Sequence, residues 1–345
     1  IEAWAGDQTG DFQGMSENTP TLLMAGRMSS GWTDWIRDAL DTDWTVLSWS
    51  EDDDEFERFT ELVPTADAVV AGRMLGGWPA VPNLKVFHIP FTGLDWITPA
   101  DMPKGCVVCN TFEHEIAIAE YTLAGMLEWE VQLCEQDRRF RTHRWENRQP
   151  GAGPGRGELF GKTLGIVGYG HIGKETQKRA QAFGMRTIAV SRRTPPAPEL
   201  DWFGTIEELD RLLAESDYVL VTLPLSDETE SLFNTARFSA MKSDGVIINV
   251  GRGRVLDEKD LYEALKSKRI GGAVIDVWYD YPTKDDPDPT PSKFPFHELD
   301  NLIMTPHSSA RSEAMRQRRW AFVAANLDRF ARDEAMENIV FEGTA

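Results

Sequence analysis

Residues 164–173 read Leu-Gly-Ile-Val-Gly-Tyr-Gly-His-Ile-Gly. An apolar run of strand type leads directly into Gly168, Gly170 and Gly173, the spacing G-x-G-x-x-G, and a helix-compatible stretch from Lys174 to Phe183 follows. In that order the pattern opens a dinucleotide-binding βαβ unit. Gly168 allows the tight turn off the strand, Gly170 lets the backbone approach a pyrophosphate, and Gly173 lets the helix pack closely on the sheet. The phosphates then rest on N–H groups at a helix N-terminus, where the aligned peptide dipoles favour negative charge. Without the strand and the helix the same glycines would be an ordinary turn; here both neighbours are present.

The end of the next strand selects the nucleotide. In NAD-binding units an acid about 20 residues on takes the ribose hydroxyl, but the second strand, Arg186-Thr-Ile-Ala-Val190, ends in Ser191-Arg192-Arg193-Thr194 and no Asp or Glu occurs until Glu199. A carboxylate there would repel a 2′-phosphate, whereas a hydroxyl followed by guanidiniums holds one through charge-assisted bonds. The expected cofactor is therefore NADP(H) in preference to NAD(H), with Ser191, Arg192 and Arg193 as the phosphate readers. The competing reading of the two arginines is a solvated loop.

A chain of 345 residues exceeds one typical core and suggests two domains. Its 56 acids against 36 Lys plus Arg give a net charge of -20, which opposes binding to nucleic acid or an anionic membrane. No run reaches the length of a membrane span and no signal-peptide pattern is present, so the expectation is a cytoplasmic protein. Three cysteines, Cys106, Cys109 and Cys134, form no even framework. Cys106 and Cys109 flank a strand-like Val-Val, which points their side chains to opposite faces, and the six histidines lack zinc-ligand spacing, so no metal site is expected.

The chain starts with Ile, and Phe12-Gln-Gly-Met15 resembles the remnant of a cleaved tag, so residues 1–19 are set aside as an extension. From Thr21 short apolar runs at 21–25, 44–48, 68–71, 84–89 and 106–109 predict strands, with helices near 31–40 and 54–62. A second series follows at 164–168, 186–190, 218–222, 246–250, 272–276 and 302–305, with helices such as 206–215 and 258–268. Six strands separated by crossovers imply a parallel, doubly wound sheet. Two long amphipathic helices stand at the joints: 115–134, with Ile116, Ala119, Leu123, Leu127 and Val131 at helical spacing, and a second carrying Trp320, Val323, Leu327 and Phe330. The Gly/Pro-rich stretch 149–157 reads as an exposed loop reaching toward a partner subunit.

Four further segments follow the glycine turn in order: Thr222-Leu-Pro-Leu-Ser-Asp-Glu-Thr229, Asn249-Val-Gly-Arg-Gly253 with Leu256-Asp257, Gly272-Ala-Val-Ile-Asp-Val277, and Thr305-Pro-His-Ser-Ser309. With these, residues 84–332 resemble the D-isomer-specific 2-hydroxyacid dehydrogenases, of the glyoxylate/hydroxypyruvate reductase type. The resemblance implies an α/β fold of two doubly wound parallel-sheet domains: a Rossmann dinucleotide-binding domain, 116–307, inserted in a flavodoxin-like substrate domain, 20–115 and 308–345. It also implies an active-site cleft between the domains and a homodimer. Nucleotide contacts are implied at Gly168, Gly170, His171, Ile172, Gly173, Leu223, Pro224, Thr229, Val250, Gly251, Asp276 and Ser309.

Reducing a 2-oxo acid requires an anchor for the carboxylate, an electrophile for the carbonyl oxygen and a proton donor. Arg252 follows a strand at the carboxyl edge of the sheet, where open α/β folds bind ligands, and its fork suits a carboxylate; it matches the family's catalytic arginine. His307, in Thr-Pro-His-Ser at the family's histidine position, has an ordinary pKa near 6.5 suited to proton exchange. Pro306, Ser308 and Ser309 suggest a helix start that would orient it. Asp276 should face the nicotinamide carboxamide or stiffen the cleft. The departure from the family is the third catalytic position, where most members carry Glu and formate dehydrogenases Gln; this chain has Tyr281. A carboxylate beside His raises its pKa, so His307 is expected to run without that charge, with Asp280 as the rival partner.

On the substrate side, Ile89-Pro-Phe-Thr-Gly-Leu-Asp95 occupies the family's carboxylate-holding loop, with Thr92 and Gly93 the expected contacts. Glu113 and His114 either read a substrate's distal group or cap the helix that follows. Trp278 and Tyr279 read as packing. The resulting expectation is an NADPH-dependent reductase of a small 2-oxo acid, running reversibly. The rival readings are formate oxidation, motivated by the missing Glu and by Asp-Val-Trp at 276–278, and a non-catalytic dinucleotide sensor.

Overall fold

The computed structural model describes residues 19–52, 55–73, 78–94, 96–145, 155–193, 197–283 and 286–345. The extension, apart from residue 19, and residues 149–154 of the Gly/Pro-rich stretch lie outside them. Among the described residues the strands are β1 Thr21–Ala25, β2 Thr45–Trp49, β3 Ala68–Ala71, β4 Val86–His88, β5 Val107–Cys109, β6 Thr163–Val167, β7 Arg186–Ser191, β8 Trp202–Thr205, β9 Tyr218–Val221, β10 Val246–Asn249, β11 Gly272–Ile275, β12 Leu302–Met304 and β13 Ile339–Glu342. The chain divides into two compact units, Ile1–Glu113 with Glu313–Ala345, and His114–Ser312.

The first unit is built on a sheet of order β13-β5-β4-β3-β1-β2, parallel except for β13, which runs antiparallel to β5. Without β13 this is the 2-1-3-4-5 order of flavodoxin-like sheets. Successive side chains of a strand face opposite ways, so β1 serves two cores. Leu23 and Ala25 join Val69, Phe87 and Val108 on one face. Leu22 and Met24 join Val70, Val86 and, from the helix Glu313–Ala331, Trp320, Val323 and Leu327 on the other. Burying each such side chain contributes about 1.5–3 kcal/mol.

The second unit has a seven-stranded parallel sheet, order β12-β11-β10-β9-β6-β7-β8. One face packs Val167, Val219, Ile247 and Ile275 against Leu212, Leu261 and Leu265; the other packs Ile166, Leu220, Ile248 and Val274 against Leu123, Met126 and Ala180. Both faces are covered, as parallel sheets require.

Three expectations are corrected. The second sheet has a seventh strand, β8, whose four residues Trp-Phe-Gly-Thr carry too short a pattern to stand out. The first sheet gains β13, and the first of its pairs, Ile339 with Cys109, joins residues on either side of the whole second unit. The predicted 115–134 helix ends at Val131, because Gln132 adopts a left-handed backbone (φ 52°) and a separate helix, Leu133–Phe140, begins there. The face that Glu115–Val131 buries also differs from the expected stripe: Ala119 and Leu123 are buried together with Ala117, Ile118, Thr122, Gly125 and Met126, while Ile116, Leu127 and Val131 are only half-buried, because the helix packs on both the sheet and the helix His171–Ala182.

Candidate functional site

The glycine turn lies where the second sheet changes direction: β7 and β8 build outward on one side of β6, and β9 to β12 on the other. Crevices at the carboxyl ends of strands at such a switch point bind ligands in open α/β folds. Gly168 has φ 101°, and a Cβ on it would stand 2.8 Å from Thr222 Oγ1. Thr222, just past β9, donates that hydroxyl to Gly168 O (2.6 Å), tying the two sides of the switch together. A Cβ on Gly173 would stand 2.8 Å from Gly168 O, so the helix His171–Ala182 approaches the turn as closely as only glycine permits.

Gly170 differs. A Cβ there meets nothing within 4 Å, and the helix that starts after it has neither a side-chain N-cap nor an acid in its first turn. Open space beside helix N–H groups fits a pyrophosphate. His171 is exposed and Ile172 half-buried at the same end. Leu223 and Pro224 continue from Thr222, and Thr229 closes their turn by donating to Pro224 O (2.7 Å) and accepting the Ser226 N–H (2.8 Å).

Ser191 ends β7 half-buried, with Arg192 and Arg193 exposed after it. Glu199, the first acid downstream, is committed elsewhere. It accepts the Tyr169 hydroxyl (2.7 Å), which holds its carboxyl below the usual range, and its backbone carbonyl accepts from Gln177 and Gln181.

The proposed catalytic side chains leave three neighbouring strands, β10, β11 and β12, at the same carboxyl edge. After β10 the buried Asn249 side chain accepts the Gly251 N–H (3.1 Å) and donates to Arg252 O (3.0 Å), fixing the loop. Val250 and Gly251 are buried in it, and half-buried Arg252 donates Nη1 to Gly251 O (2.9 Å).

Asp276, just past β11, is buried. Its Oδ1 accepts from Thr305 Oγ1 (2.5 Å) and the Ser308 N–H (2.9 Å), and its Oδ2 accepts from the Ser309 N–H (2.9 Å). These three bonds tie Asp276 into the turn after β12. Thr305 also meets Tyr121 Oη at 2.7 Å and accepts Trp278 Nε1–H at its carbonyl (2.8 Å).

His307 sits on that turn with φ 54°. The helix expected at Pro306 is absent; helix begins at Glu313, because Asp276 takes the Ser308 and Ser309 N–H groups into a turn instead. A left-handed residue costs about 1–2 kcal/mol, which the bonds to the carboxylate offset. Although His307 is exposed, surrounding groups partly desolvate its imidazole and push its pKa below the ordinary 6.5; Asp276 pulls it up and Arg252 pushes it down. The Tyr281 ring lies 5.5 Å from the imidazole, centroid to centroid, and the phenol oxygen accepts the Trp278 N–H (3.1 Å). Trp278 is buried and Tyr279 donates to Leu256 O (3.1 Å), so both pack.

Thr92 and Gly93 belong to the first unit, in the loop after β4. Thr92 donates to Thr111 O (3.0 Å), its carbonyl accepts Asn110 Nδ2 (3.1 Å), and Gly93 O accepts Trp96 Nε1–H (3.1 Å). His114 precedes the helix Glu115–Val131 without a side-chain capping bond, so the capping alternative is not realised. Glu113, at φ 67°, is gripped by Arg318 through its carbonyl (3.2 Å) and its carboxylate (3.3 Å). Tyr121 and Thr222 escaped the sequence reading as site residues. Tyr121 lies in no motif, and Thr222 was quoted only as the start of one. Among the described residues, no group of three His, Cys, Asp or Glu is placed to hold a metal ion, and no helix is long and apolar enough to cross a membrane.

Comparison with known proteins gives this geometry a family. The chain is 33% identical over 262 residues to D-3-phosphoglycerate dehydrogenase of Methanocaldococcus jannaschii, covering 75% of this chain and about half, 48%, of that protein. It is 31% identical over 266 residues to glyoxylate reductase of Thermococcus kodakarensis, covering 76% and 78%. A D-isomer specific 2-hydroxyacid dehydrogenase family protein from Aeromonas salmonicida shares the fold, with TM-score 0.77 over 94% of this chain and 99% of that one at 24% identity. Residues 123–309 match the family described as D-isomer specific 2-hydroxyacid dehydrogenase, NAD binding domain. The chain thus belongs to the D-isomer specific 2-hydroxyacid dehydrogenase family, and is an NAD(P)-dependent oxidoreductase of the class that interconverts 2-oxo and 2-hydroxy acids.

Proposed function

We propose that this protein reduces a small 2-oxo acid to a D-2-hydroxy acid, reversibly, with NADPH preferred over NADH. The observation that carries this reading is that Arg252, after β10, and His307, after β12, leave the same carboxyl edge of the sheet on either side of β11 and Asp276. When bound, the reduced nicotinamide supplies hydride to the carbonyl carbon. Arg252 clamps the substrate carboxylate and polarises the carbonyl oxygen through its fork. His307 gives its ring proton to that oxygen, and in the reverse direction takes it from the hydroxyl. Tyr281 orients the ring without adding charge, and Asp276 holds the turn beneath it.

The preference for NADPH rests on the exposed Arg192 and Arg193 after Ser191, and on the engagement of Glu199 away from the end of β7. A homodimer is part of the same reading. The helix Leu133–Phe140 buries none of its residues, and Phe140 and Trp145, in edge contact at 4.9 Å, are exposed. Such a basic, aromatic arm is suited to cover by a second copy of this acidic chain. Light scattering should give twice the chain mass; a monomer would remove this part.

The deciding experiment is a spectrophotometric screen of glyoxylate, hydroxypyruvate, pyruvate and phenylpyruvate with NADPH and NADH, followed by chiral analysis of the product. The expected outcome is turnover of at least one acid, faster with NADPH, giving the D-isomer. Turnover of formate with NADP⁺ and of no 2-oxo acid would replace this reading with formate oxidation. Nucleotide binding with no turnover of any acid would leave a sensor.

A further inference from the structure

We infer that Tyr121 is a positioning residue for His307, acting through Thr305 and Asp276 to hold the turn that carries the imidazole. The inference rests on the proposed role of His307 as the proton carrier. It begins from an accounting of protons. Thr305 has one hydroxyl proton and lies between the Asp276 carboxylate (2.5 Å) and the Tyr121 hydroxyl (2.7 Å). A carboxylate only accepts, so the threonine proton goes to Asp276 and the tyrosine must donate. The carboxylate therefore sets the direction of the chain of bonds, and Tyr121 is its outer donor, acting through Thr305 on the group that receives the N–H groups of Ser308 and Ser309.

The turn needs such support. His307 is left-handed at φ 54°, and a non-glycine residue stays there only where its surroundings over-determine it. Tyr121 is well placed to supply that support. Its helix is seated on the sheet at Gly125, where a Cβ would stand 3.0 Å from the Val274 side chain of β11, the strand that delivers Asp276. Burial pushes the phenol up to about 12, so it remains a donor across the working range of an enzyme. Removing the hydroxyl leaves the Thr305 oxygen without its donor, so its bond to Asp276 is less constrained and the histidine turn is loosened.

The test compares full-length Tyr121→Phe, Thr305→Val and Thr305→Ser with wild type. Misplacement of a reacting group is expected to lower kcat about ten-fold in the Phe and Val variants, with both KM values within about two-fold, and the Ser variant should regain wild-type kcat. A second measurement needs no turnover. The His307 Cε1 proton signal, single in wild type, should broaden or split in the Phe and Val variants and return in Ser. Wild-type kcat with an unchanged signal in Tyr121→Phe overturns the inference, as does a change confined to KM or to thermal stability. His307→Gln tests the underlying reading separately: full activity there removes His307 as the proton carrier, whatever the Tyr121 variant shows.

Discussion

The Tyr281 ring stands 5.5 Å from the His307 ring at an interplanar angle of 58°. An uncharged neighbour cannot stabilise imidazolium as an anion does, and partial desolvation already pushes the His307 pKa down. Reduction requires the protonated ring, so kcat/KM for reduction should fall as pH rises through a value below 6.5. Oxidation requires the neutral ring and should hold its rate to a correspondingly lower pH. Tyr281→Glu should move both limbs upward by about one pH unit, while Tyr281→Phe and Asp280→Asn should leave them in place. Loss of the limb in Asp280→Asn alone would show that the wrong neighbour has been chosen.

Gly170 and Gly173 belong to one motif and should respond in opposite ways. A methyl on Gly170 enters open space, so Gly170→Ala should change stability by no more than about 0.5 kcal/mol while weakening nucleotide binding. A methyl on Gly173 meets the Gly168 carbonyl at 2.8 Å, and overpacking of that kind costs about 1–3 kcal/mol. Urea denaturation alongside titration of NADPH fluorescence separates the two effects. Equal loss of stability in both variants would mean that the space at Gly170 is not reserved for a ligand.

Nucleotide choice can be read from the two exposed guanidiniums after Ser191. The double variant Arg192→Ala/Arg193→Ala should raise KM for NADPH about 10- to 100-fold, the worth of one or two charge-assisted bonds, and leave KM for NADH nearly unchanged. Ser191→Asp should improve NADH relative to NADPH. An equal rise for both nucleotides would point to damage of the fold at this loop, and no change would make the arginines a solvated surface.

His88 gives the first unit a pH-dependent stability of its own. It is wholly buried on β4, with its Nε2 3.1 Å from Asn326 Nδ2, and burial lowers its pKa from 6.5 to about 4. The unfolded chain therefore binds this proton before the folded one does. The stabilisation is complete above pH 6.5 and disappears as pH falls toward 4, by about 3 kcal/mol in all. His88→Gln should flatten this part of the profile in urea midpoints taken at pH 7 and pH 4.5. A slope identical to wild type would assign the acid lability to other groups.

Much of this architecture was legible because local pattern and local structure coincide. The strand before Gly168 and the helix after Gly173 identify themselves within a short window. Arg252 and His307 stood out as candidates because each lies in a short run of matched residues. What stayed hidden depends on partners far away in the chain. Tyr121 is simply one of the two aromatics on its helix, with Trp129, until the fold brings Thr305, 184 positions on, against it. The direction of the Asp276 carboxylate could not be foreseen, since it follows from a turn that Pro306 and two serines made look like a helix start. Gln132 breaks its helix although glutamine is a good helix former, so propensity gave no warning.

The return of the last strand to pair with β5 has a bearing on how the protein is made. Residues His114–Ser312 are contiguous and complete their own sheet, so they are able to mature while still attached to the ribosome. Residues before them leave the tunnel earlier yet lack Trp320, Val323, Leu327 and β13, which are translated only after the second unit. The N-terminal part of the first unit must therefore wait, apolar face uncovered, until the second unit has been made. This order makes that part the natural client for a chaperone during synthesis.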